Sequence, residues 1–104
     1  MNEQIPEFLR VMEVALRSGY SVAQGLEIVT KDMDGPLTAA VQRVLNDLQA
    51  GTSLLSALDQ WLARAPSRDL DLIIATIRVQ LEVGGNLADR FQFISQLLPK
   101  LQIA

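Results

Sequence analysis

The chain of 104 residues has no cysteine and no histidine. Those two absences remove a disulfide framework, a thiol nucleophile, a zinc finger and a histidine general base. Aromatic residues are scarce, at 5%. A core must therefore come mainly from Leu, Ile, Val and Ala, which, with plentiful Gln, Glu and Arg, suit helices better than sheets. Positive charge is also short, with 9 Lys and Arg against 12 Asp and Glu and a net charge of −3. Nucleic-acid binding leaves a basic footprint that is missing here, and anionic headgroups repel an acidic surface. The opening Met1-Asn2-Glu3-Gln4 lacks the basic start and apolar stretch of a signal peptide. No apolar run approaches the roughly 18 residues of a membrane-spanning helix. The piece is expected to be soluble as it stands, although such a piece can be cut from a membrane protein.

What is present suffices for one domain over residues 1–104, with a core from about residue 6 to residue 98, since apolar residues make up 49%. Periodicity and punctuation predict six helices. The first runs from about Pro6, at its first position, to Ser18. Phe8, Met12, Ala15 and Leu16 form its stripe, Arg17 suits the last turn, and Gly19 is the left-handed stop. Ser21 opens the second with a capping box to Gln24, and Val22, Leu26 and Val29 face inward. The third opens at Asp34-Gly35-Pro36, with Asp34 as cap, and carries Leu37, Val41, Val44, Leu45 and Leu48 to a stop at Gly51. Ser53 caps the fourth, striped by Leu54, Leu58, Trp61 and Leu62 and ended by Pro66. Ser67 caps the fifth, with Leu70, Ile73, Ile74, Ile77 and Leu81 inward, before Gly84-Gly85. Asn86 caps the sixth, whose stripe is Leu87, Phe91, Ile94 and Leu98, and Pro99 ends or kinks it.

A repeat runs through this pattern. Gly19, Gly51 and Gly84 each stop a helix, and a cap follows at Ser21, Ser53 and Asn86. An apolar residue comes directly after each cap, and another at Leu26, Leu58 and Phe91. The caps recur about every 33 residues. The expected fold is all-α, a compact six-helix bundle of three antiparallel αα-hairpins whose stripes close one core.

Few residues suggest chemistry. Gly84-Gly85 follows a helix rather than a strand and lacks the lysine of a phosphate loop, so it reads as a turn. Asp32-Met33-Asp34-Gly35 resembles the start of a calcium loop, but Pro36-Leu37-Thr38 breaks the required alternation of oxygens. Asp69 and Asp71 diverge by about 200° on a helix and cannot easily act as an acid/base pair. Glu82 and Asp89 flank the last turn as solvated charges. Trp61 is expected in the core. Glu13 with Arg17, and Arg43 with Asp47, stand at i,i+4 and read as surface ion pairs or as parts of a partner-facing patch.

Three glycine–cap units in this order resemble the F-domain of membrane-platform proteins of type II secretion and tight-adherence pilus systems. Leu16 to Leu26 resembles the opening of that domain, Leu48 to Leu58 its middle unit, and Asp69 to Asp89 its final hairpin. Gly84-Gly-Asn-Leu-Ala-Asp89 is most similar to the tight-adherence branch, because the general secretion branch more often shows Gly-Glu-x-Ser-Gly-x-Leu there. The resemblance implies a non-catalytic bundle on the cytoplasmic side of an inner membrane, flanked by transmembrane helices, with residues 99–104 as the start of a passage toward one. It implies as partners the secretion or pilus assembly ATPase and other platform subunits, and leaves a homodimer open. It implies no catalytic residue, metal or cofactor, and neither nucleic acid nor a small-molecule substrate as partner. The residues suggested for the partner surface are Arg78, Glu82, Asp89 and Arg90. The alternative is a soluble helical-repeat adaptor, since the spacing approaches the tetratricopeptide period of about 34; the tryptophan, glycine and tyrosine pattern of those repeats is missing.

Overall fold

Wherever the 3.6-residue apolar period is interrupted, the backbone turns. The computed structural model describes residues 2–101. A 3-10 turn over Asn2–Gln4 leads into α1 (Ile5–Arg17), α2 (Val22–Asp32), α3 (Pro36–Gln49), α4 (Leu54–Arg64), α5 (Arg68–Val83) and α6 (Leu87–Leu101). No strand occurs among the described residues. The expected passage beyond α6 lies in part, from residue 102 on, outside them.

Local signals set most boundaries. Ser21, Ser53 and Ser67 accept from the amides of Gln24, Ser56 and Leu70, and Asn86 Oδ1 accepts from the Asp89 amide at 3.0 Å. At Ser21 the Gln24 side chain answers the cap's own amide, completing the capping box. The first two helix stops are alike. Tyr20 N–H donates to Ala15 O at 3.1 Å and Thr52 N–H to Asp47 O at 2.9 Å, each wrapping around a glycine with positive φ, Gly19 at 95° and Gly51 at 99°. A side chain at either glycine would clash with its own backbone. The third stop differs: Gly84 N–H continues the ordinary helical bond to Gln80 O, and the chain then reverses through Gly84 and Gly85. The three units therefore share their caps but not their turn geometry.

Three boundary expectations are corrected. Ile5 takes the first position of α1 and Pro6 the second. Asp34 does not cap α3. Gly35 occupies that position without a side-chain bond, and Pro36 has no N–H to offer. The Leu37 amide is instead satisfied by Gln4 Oε1 at 2.9 Å, from 33 residues upstream, while Gln4 Nε2 donates to the Asp34 carbonyl. Of the two outcomes expected at Pro99, an end or a kink, the end is overturned, since α6 continues to Leu101; the missing donor costs the helix a single bond.

Packing closes the bundle. Successive helices contact one another in chain order, and α1 makes its most extensive contact with α6. Phe8, Met12, Leu26, Val29, Leu37, Val41, Val44, Leu58, Trp61, Leu70, Ile73 and Phe91 are essentially inaccessible. Trp61 is buried as expected and meets the edge of Phe8, with ring centroids 6.0 Å apart and planes at 81°. Each such large side chain contributes roughly 1.5–3 kcal/mol, more than a cap. The radius of gyration, 12.8 Å, matches the roughly 13 Å of a globule this size. An open superhelix of repeats is excluded. Leu81 departs from the expected stripe: it is 52% exposed, whereas Leu70, Ile73, Ile74 and Ile77 are buried. At 16 residues, α5 outruns the 11-residue α4 and leaves its last turn uncovered.

The α1–α2 crossing is close at Gly25, where a Cβ would lie 2.9 Å from Met12 Cε and 3.0 Å from Met12 Sδ. Gly25→Ala meets only the flexible end of Met12 and gains helix propensity, so its net effect on urea stability is expected to stay within about 1 kcal/mol. Gly25→Val adds bulk that Met12 and Ala15 must both yield to, and is expected to cost about 2–3 kcal/mol. Gln4→Ala is expected to lower stability by about 1 kcal/mol and to accelerate hydrogen exchange at the Leu37 amide.

Candidate functional site

Four charged residues were singled out at the rim of the last turn, and the structure gives three of them partners inside the molecule. Arg78 Nη2 lies 2.7 Å from Asp59 Oδ1 and ties α5 to α4. Arg90 Nη2 donates to Gly84 O at 3.4 Å, bracing the third turn. Asp89 Oδ1 lies 2.9 Å from Arg17 Nη1 and ties α6 to α1. Glu82 is exposed and has no ion pair among the described residues.

Arg17 is the hub of this rim. Its Nε donates to Glu13 Oε2 at 3.0 Å, one turn back on α1, and its Nη2 donates to Gln92 Oε1 at 3.2 Å on α6. The planar guanidinium serves its three acceptors from three different nitrogens, Nε, Nη1 and Nη2, a spread that the single nitrogen of an ammonium group cannot reproduce. Glu13 foremost, then Asp89, raises the Arg17 pKa above its ordinary value. A raised value means that the ionic contribution is present below the ordinary arginine pKa and is lost only as pH rises past the folded one. Arg17 thus keeps its charge throughout the working pH range. The network is solvent-exposed, so it orients helices more than it stabilises them.

The other sequence-level pairs divide. Glu13–Arg17 forms, but Arg43–Asp47 is not among the ion pairs of the described residues. Asp47 Oδ2 is turned inward away from solvent while Arg43 is exposed, so the two heads do not meet. Asp69 is buried and bonded within the molecule, and Asp71 is exposed, as their divergence on one helix predicts. Among the described residues no three Asp or Glu gather as a metal site.

Beside the rim lies an apolar surface that the sequence reading passed over. On α5, Leu72, Thr76, Val79 and Val83 recur at i, i+4, i+7 and i+11, one helical stripe offset from the buried one. On α6, Phe93 and Leu97 flank it. Leu72, Thr76, Asp89, Arg90, Phe93, Ile94 and Leu97 line a groove between the two helices. Phe93 is 62% exposed and Val83 73%. The second α5 stripe was readable as a period; Asp59 opposite Arg78 was not, because nothing local links residues on different helices. A further groove, between α1 and α2, is floored by Val11, Val14, Ala15 and Ile28 beside Tyr20, with Glu7, Arg10 and Asp32 at its edge.

The Ser18 hydroxyl in one groove donates to Val14 O at 2.9 Å and the Thr76 hydroxyl in the other to Leu72 O at 2.8 Å, each back onto its own helix. Broad, shallow, partly apolar surfaces edged by charge are suited to holding another polypeptide. The Arg17 hub yields a direct expectation: its Nε–H should exchange slowly with water and resonate apart from other arginines in NMR spectra. Combining Glu13→Gln with Asp89→Asn should make it exchange fast and join them, leaving circular dichroism unchanged.

A family model described as Type II secretion system (T2SS), protein F matches residues 8–102. Neither a curated protein nor a solved structure matches the chain.

Proposed function

The chain belongs to the type II secretion system protein F family, and from that premise we propose that it docks an assembly ATPase and couples its motion to pilin movement. The family is one of inner-membrane platform proteins, non-catalytic in character, for secretion and pilus assembly. The observation that carries the proposal is the match over residues 8–102, which takes in all three hairpins. The tight-adherence branch is part of the proposal and rests on Gly85-Asn86. So are a place on the cytoplasmic face, with transmembrane helices flanking the domain, contact with other platform subunits and a possible homodimer. Among the described residues no helix is long and apolar enough to cross a membrane.

Closure supports a mechanical role. The start of α1 and the end of α6 lie together, where Ile5, Pro6 and Leu9 face Ser95, Leu98 and Pro99 around a cavity of about 70 Å³. Chain leaving either end does so from one edge of the body. A displacement delivered to the opposite rim would reach both exits through the packed α1–α6 pair. The proposed ATPase contact is that rim, comprising Arg78, Glu82, Asp89 and Arg90.

A pull-down of the cognate ATPase tests this. Reversing all four charges is expected to abolish capture; it also lowers the thermal unfolding midpoint, because Arg78, Asp89 and Arg90 each lose a partner inside the molecule, so circular dichroism is used to verify that the variant is folded. Undiminished capture by the folded variant discards the rim.

A further inference from the structure

We infer that the outer face of α5 is a seam for a second copy of this chain, packed antiparallel about a twofold axis at Ala75. This deepens the platform reading, resting on the homodimer that reading allows, by assigning the face and the residues that form it. Three observations carry it.

The first is spacing. On the side of α5 away from the core, Arg68, Leu72, Ala75, Val79 and Glu82 recur at steps of four, three, four and three residues, the repeat of a coiled-coil seam. Leu72 is half-buried, Val79 is 42% exposed and the other three are exposed. The seam rises about 21 Å, or roughly four turns, at ~1.5 Å per residue. Ala75, at its centre, has only a methyl group to hold two helices apart.

The second is the order of residues about that centre. Arg68 and Glu82 stand seven residues before and after Ala75, Leu72 and Val79 three before and four after, and Asp71 and Arg78 four before and three after. In a twofold interface, residue i meets j and j meets i. Antiparallel pairing at Ala75 therefore sets Arg68 against Glu82 of the second copy, twice, and packs Leu72 against Val79. On one flank it brings Asp71 level with Arg78. Parallel pairing would instead set like charge against like. Phe93, 62% exposed, lines the neighbouring groove with Leu72 and Thr76, so it borders the middle of the seam on the other flank.

The third is the helix dipole. Arg68 is the first residue of α5 and Glu82 the last but one, so each sits at the end whose partial charge repels it. Neither has an ion pair among the described residues. An antiparallel copy relieves both, because it brings Glu82 to Arg68 and the carbonyl end of one α5 beside the amide end of the other. Repulsion between two bodies of net charge −3 is screened beyond about 8 Å at physiological salt. An anionic lipid surface, by contrast, is repelled by Asp71 and Glu82 directly.

The test measures self-association of the full chain by sedimentation equilibrium, with circular dichroism as the check on folding. A single helical seam is a small interface, so dissociation is expected on the order of 100 μM. Arg68→Glu and Glu82→Arg should each weaken pairing at least about tenfold, since like charges then face each other twice. Mixing these two variants should restore it, because two glutamates of one copy then face two arginines of the other. Ala75→Glu should give a folded monomer; should it fail to fold, the charge reversals and their mixture decide alone. The chain has no cysteine, so Ala75→Cys supplies one thiol. A short bis-maleimide should join two such chains and leave Ala39→Cys, exposed on α3, unlinked. A parent chain still monomeric at about 1 mM, pairing that neither reversal weakens, a mixture that stays monomeric, or equal linking at both thiols would each overturn the inference. A chain that pairs as expected but captures no ATPase strikes the platform reading alone, and one that captures the ATPase while staying monomeric strikes the seam alone.

Discussion

Closure of α1 on α6 is the constraint on which the remaining structure depends. Each hairpin has one apolar stripe and buries little by itself, and an isolated helix of 11 to 16 residues is marginal in water. Packing the first helix against the last turns a linear series of hairpins into a ring with an interior. That interior receives Phe8, Trp61 and Phe91, the largest side chains that are almost wholly buried. The edge-on meeting of Phe8 with Trp61 links α1 across the body to α4. Without the α1–α6 contact the same stripes would face water, and the caps could not compensate.

The distinction between local and non-local interactions explains what could be read from the sequence. Ser21, Ser53, Ser67 and Asn86 act on amides three residues away, so a few adjacent letters contain the whole device, and all four caps were legible. Gly19 and Gly51 were legible for the same reason. The α3 cap was not, because its acceptor is Gln4, brought there by the fold. A sequence rule could only nominate the nearest polar residue, Asp34. Arg78–Asp59 and Arg17–Asp89 were hidden likewise, because their partners lie on different helices, whereas Glu13–Arg17 lies within one. Sequence identified the charged residues at the rim; it could not say which of them the fold would occupy.

Leu81 shows a second limit of periodicity. A stripe continues through a helix whether or not a neighbour is there to cover it. Leu70 through Ile77 face α4 and the core, but α5 extends beyond its shorter neighbour and Leu81 meets solvent. Exposed apolar area at such an overhang is costly to leave bare. Val79 and Val83, on the same stretch of α5, are exposed with it. The overhang accounts for the failed core expectation at Leu81; the α5–α6 groove, lined by Leu72, Thr76, Phe93 and Leu97, lies further along the hairpin.

That surface separates the two parts of recognition. Exposed ion pairs contribute little to affinity, and rim cations already engaged within the molecule contribute less to an incoming partner. Affinity must then come from burying Phe93 and the α5 stripe, where each large side chain removed from water contributes on the order of 1.5–3 kcal/mol. Because Asp89 also holds Arg17, a cation arriving at Asp89 competes with the bond that joins α6 to α1. The α1–α6 closure thus has one exposed carboxylate at this end, while at the other end the two helices meet through Ile5, Leu9 and Leu98.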